Sequence, residues 1–154
     1  DRKVCWLDTV AVHDAMALLE KQVKQKDPRR IATAERLLDL CRGELLFGEG
    51  AAWIMARREY WNSRITRTFS ALAAALAASG DALSGARLLE HVLELNPHSE
   101  LVVHELMSIC LDAGLHAEGI AAYQRFCRFS LPVLGIAVPE KIELLAQRLR
   151  RSER

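Results

Sequence analysis

Apolar positions recur along this chain at helical spacing, and the breaks between the runs divide it into about seven helices. The first stripe is Val10, Val12, Ala15, Met16, Leu19 and Val23, ending near Lys26. Asp8 is placed to cap its start. Asp27-Pro28 separates it from a second stripe, Ile31, Ala34, Leu37, Leu38 and Cys41. Pro28 sits near the first helical position, where its missing N–H costs nothing. These two helices pair as an αα-hairpin. Ahead of them, Lys3-Val4-Cys5-Trp6-Leu7 is a short apolar run of strand type. A lone strand is not stable, so residues 1–7 read as the tail of a preceding domain or a linker and 8–154 as one domain. The chain starts at Asp1 and not at Met, as a piece of a longer protein would.

Arg42 to Gly50 carries three glycines and reads as the one long loop. Its Leu45, Leu46 and Phe47 are too apolar to stand in water, so it is expected to dock on the helices. A long helix follows, from about Ala52 to Ser79, rich in Leu and Ala in its second half. Gly80-Asp81 closes it. Ala82 to Leu95 comes next, broken by Asn96-Pro97, then Ser99 to Ala113, ended by Gly114. Ala117 to Phe129 stops near Pro132, and a last helix opens at Val138 or Pro139 with Ile142, Leu145 and Leu149 inside. Its arginines, Arg148, Arg150, Arg151 and Arg154, suit the negative end of a helix.

Two glycine pairs set a period. Gly80 and Gly114 are 34 residues apart, and so are Gly85 and Gly119. That is the length of one tetratricopeptide unit, a pair of antiparallel helices. Ile120, Tyr123 and Phe126 match Ala86, Leu89 and Val92 at the same offset. Gly85 and Gly119 stand where the repeat wants a small residue between its two helices. The fold class expected is all-α, a tetratricopeptide-like right-handed stack of helical hairpins closed by a capping helix.

Composition changes this picture little. Hydrophobic residues make up 51% and charged ones 27%, and the net charge is +1, so no dedicated nucleic-acid surface is implied. Cys5, Cys41, Cys110 and Cys127 form no C-x-x-C pair and read as buried thiols of a cytoplasmic protein. His13, His91, His98, His104 and His116 lie singly, so neither a metal nor any other cofactor is expected. There is no Gly-rich phosphate loop. Glu90 with Glu94 is a solvated helix face rather than a catalytic pair. The chain reads as a non-enzyme.

Several words of the sequence, taken in order, resemble the bacterial transcriptional activator domain. They are Val4-Cys5-Trp6-Leu7-Asp8, Arg42-Gly43-Glu44-Leu45-Leu46, and Trp53 with Arg57-Arg58-Glu59. His104-Glu105-Leu106-Met107, Ala113-Gly114, Ala121-Ala122-Tyr123, Leu134-Gly135-Ile136 and Pro139-Glu140 complete the series. The tail after Pro139 lacks the family's usual Ser. In that family an all-helical, tetratricopeptide-like module follows a winged-helix DNA-binding domain in antibiotic-regulatory proteins. The resemblance implies a non-enzymatic regulatory and protein-interaction domain of a bacterial transcription regulator. Its partners would be a second copy, its own DNA-binding domain or RNA polymerase, with nucleic acid reached only through a neighbouring domain. The alternative is a stand-alone cytosolic tetratricopeptide adaptor for a peptide or helix of another protein.

Two surfaces are candidates for that work. Trp53, Arg57, Tyr60, Trp61 and Arg64 share one side of the long helix and are of the residue types enriched at interface hot spots. One competing reading packs both Trp side chains beneath Leu45-Leu46-Phe47 and pairs the arginines with nearby acids; a mixed one puts one Trp inside and the Arg edge outside. The second surface is the concave groove, lined by Arg67, Ser70 and Ala74 and by His104, Ser108 and Asp112. The cluster Arg57, Arg58, Arg64 and Arg67 is a weak DNA-contacting patch, interrupted by Glu59.

Overall fold

A computed structural model describes residues 2–41, 52–135 and 137–152, with side chains from 10 onward except those of 131–134. Seven helices and no strand occur among the described residues. They are α1 (Arg2–Gln25), α2 (Arg30–Leu40), α3 (Ala52–Ala78), α4 (Ala82–Leu95), α5 (Glu100–Asp112), α6 (His116–Leu134) and α7 (Glu140–Ser152). The loop expected at residues 42–50 lies outside the described residues. The chain forms two compact units, residues 1–69 and 70–154, and the boundary falls inside α3.

In the first unit, α1 and α2 form the expected hairpin. Met16, Leu19, Ala34, Leu37, Ile54, Ile65 and Phe69 are its buried apolar side chains. Two expectations fail at its start. Lys3 to Leu7 is helical, part of α1 rather than a strand, and Asp8 lies inside the helix rather than at its cap. Continuing the helix satisfies backbone groups that a strand without a partner would leave open.

The turn after α1 has a form the sequence did not advertise. Asp27 N–H donates to the Gln22 carbonyl at 2.9 Å and Lys26 N–H to that of Val23 at 3.3 Å. This is the Schellman helix ending, whose central residue is left-handed and normally Gly. Here Lys26 holds that position, with φ +53°. Gly80 and Gly114 end α3 and α5 in the same way, with φ +90° and +72°. The Asp27 carboxylate accepts from Arg29 N–H at 2.8 Å, turning the chain into α2.

In the second unit, α4 packs on α5, α5 on α6, and α7 on both α5 and α6. Asp81 caps α4 by accepting from Ser84 N–H, and Ser99 caps α5 through Val102 N–H. Gly85 lies where a Cβ would stand 2.8 Å from the Ala73 carbonyl oxygen. Gly119 lies where a Cβ would meet Leu149 Cδ1 at 2.8 Å and Cys110 Cβ at 3.1 Å. Small residues at these two repeat positions therefore let the helices touch. Leu89, Val92, Leu106, Met107, Ile142 and Leu149 fill the core. The stop expected near Pro132 is not there, because α6 runs through it to Leu134. In the last turn Pro deprives one carbonyl of its donor without ending the helix at once.

Tyr123 on α6 ties α7 down. Its hydroxyl donates to Glu143 Oε1 at 2.8 Å, and the Arg150 guanidinium lies 5.3 Å from the ring centroid. Burial, with the Glu143 and Cys127 contacts behind it, pushes the Tyr123 phenol up from its ordinary pKa. No described helix is long and apolar enough to cross a membrane.

Candidate protein-docking face on α3

The five residues proposed from the first part of α3 divide into an outer and an inner group. Trp53 is 68% exposed, Tyr60 48%, and Arg57 also faces solvent. Met55, also exposed but on another side of the helix, takes an Arg58 Nη1 contact at 3.5 Å on its sulfur. An exposed Trp and Tyr about two helical turns apart keep large apolar surface in water.

Trp61 and Arg64 turn inward and meet α1. His13 stands edge-on to the Trp61 ring, with centroids 6.0 Å apart, and Tyr60 does the same at 5.5 Å. The Arg64 guanidinium covers Trp61 at 5.7 Å from its centroid. Its Nε and Nη2 donate to the two Glu20 carboxylate oxygens at 2.8 and 3.0 Å. This is a planar two-point pairing. The Thr68 hydroxyl adds a long bond to the same carboxylate at 3.5 Å. The Arg64 hydrogen bond, working against partial burial, holds the Glu20 carboxyl below its ordinary pKa. The same pairing raises the Arg64 guanidinium further. Glu20 was not among the residues chosen from sequence. It stands 44 positions from Arg64, and no local pattern connects them.

The groove residues are placed as follows. Arg67 is exposed, its Nε reaching the Ser63 carbonyl of its own helix at 3.4 Å. Ser70 is buried, with no hydrogen-bond partner for its hydroxyl, and so lines no open surface. Ala74 is exposed. His104 and Ser108 are half-buried and Asp112 exposed, one stripe along α5. No three His, Cys, Asp or Glu side chains converge on a point fit for a metal ion among the described residues.

Helical hairpins on a 34-residue period, with an aromatic and arginine face on one long helix, define a helical-repeat module of the tetratricopeptide type. The family is more particular. The bacterial transcriptional activator domain profile matches residues 7–150, and the chain belongs to that family. No curated protein and no solved structure matches it.

Proposed function

We propose that this chain is the non-enzymatic regulatory domain of a bacterial transcription regulator. It works in the cytoplasm, through protein contacts and not through chemistry on a substrate. The family match over residues 7–150 is the observation that carries this reading. Within it, the exposed Trp53, Arg57 and Tyr60 are the contact residues toward the DNA-binding domain of the same regulator. The domain also associates with a second copy of itself.

Two measurements test the reading. The reading frame of the parent protein should encode a winged-helix domain; its absence would favour a stand-alone adaptor. Replacing Trp53 and Arg57 by Ala in that protein should cut promoter activation while circular dichroism stays native. Full activation by the double variant would remove this face from the mechanism.

A further inference from the structure

A groove of about 270 Å³ opens in the second unit between α4 and α6. Val103, Ala122 and Phe126 form its buried floor, and Leu93 and Pro97 its half-buried sides. Phe129, 45% exposed, stands at its margin. The two rims have opposite charge. Glu90 and Glu94 lie on α4, and Arg125 and Arg128 on α6. Glu90 and Arg125 already pair across the groove at 2.7 Å. Glu94 and Arg128 have no ion-pair partner among the described residues.

The direction of the helices gives this pattern a symmetry. Both α4 and α6 pack on α5 across short turns, so each is antiparallel to it and they run the same way. Glu94 and Arg128 occupy equivalent positions one 34-residue period apart. They therefore stand at the same height along the groove. A two-fold axis parallel to the helices and midway between them would lay α4 of one copy on α6 of the other. Glu94 would then face Arg128 twice, once on each side of the axis. An axis crossing the helices would instead set α4 on α4 and bring like charges together. Self-complementarity of this kind is what an isologous contact requires.

We propose that the α4–α6 groove is the seat of a second copy of this chain, docked about the axis parallel to the helices. Each Phe129 packs against Leu93 and Pro97 of the other copy, and Glu94 pairs with Arg128 in both directions. The proposal rests on the self-association stated above and assigns it to this face rather than to α3.

Charge reversal on the full chain tests it, with mass read by sedimentation equilibrium and fold by circular dichroism. The unaltered chain should dimerise. Glu94→Arg alone and Arg128→Glu alone should each weaken the dimer by about a hundredfold, because like charges then face each other. Mixing the two variants should restore a dimer, since the reversed residues meet each other at one contact and the native pair survives at the other. Dimerisation undiminished in both single variants would overturn this surface and leave self-association standing. A mixture that stays monomeric would overturn the cross-pairing. A monomeric unaltered chain would overturn self-association itself.

Discussion

At the scale of single residues, the pairing of Glu20 with Arg64 is the clearest case of local chemistry deciding a surface. Arg64 was expected at the working edge of α3, yet its guanidinium is engaged on α1 and covers Trp61. Both partners keep some contact with water, with side chains 36% and 16% exposed, so the pair is partly screened. Glu20→Gln should therefore cost no more than about 1 kcal/mol, measured by urea denaturation at neutral pH. The pH dependence has a definite sign. Glu20 has a lowered folded-state pKa, so its contribution is present above its unfolded value of 4.5. It is lost as pH falls through the lower, folded value. The stability gap between native and Glu20→Gln proteins should close in acid and persist at neutrality. A gap that widened in acid would contradict the pairing. None of this was legible in the sequence, because the partners belong to different helices and neither lies in a motif.

At the scale of elements, most of the fold was readable. Stripes such as Ile31, Ala34, Leu37 and Cys41 mark one helical face. Gly80, Gly114 and Asp27 mark where the chain must turn. Two boundaries were misread for physical reasons. Lys3 to Leu7 is too short for its apolar pattern to separate a strand from a first helical turn. Pro132 breaks one hydrogen bond but does not forbid the final turn of α6. The ending of α1 was hidden because Lys, unlike Gly, does not announce a left-handed residue. That ending also yields a prediction. A non-glycine residue at positive φ carries a strain on the order of 1 kcal/mol. Lys26→Gly should relieve it and raise the stability of the chain by about 0.5–1 kcal/mol, seen as a higher urea midpoint. Unchanged or lower stability would mean that the added freedom of Gly in the unfolded chain outweighs the relief.

At the scale of the whole molecule, the division into two units predicts how the protein opens. Gly85 stands against a backbone carbonyl that has no rotamer to yield. Gly85→Ala should cost about 1–3 kcal/mol, the usual range for overpacking. The loss belongs to the second unit. Native-state hydrogen exchange should show α4 to α7 exchanging faster in this variant, with α1 and α2 retaining their protection. Equal acceleration in both units would show that they unfold as one. Function was less legible than fold at this scale. The family emerged from words scattered over the chain, and the exposure of Trp53 and Tyr60 needed the structure. The α4–α6 groove was missed although its four charges lie in plain view. Glu90 with Glu94 reads as an ordinary solvated face until α6 is set beside it.

Cys110 carries a practical consequence. It is fully buried at the contact of α5 with Gly119. Burial, with Glu118 and Glu90 adding to it, pushes its thiol up to about 12. Near neutral pH the closed protein presents almost no thiolate there, and thiolate is the reactive form. Alkylation at this position must wait for the second unit to open. Its rate, followed by mass spectrometry, is a clock built into the sequence, timing how often that unit opens without any reporter residue being engineered.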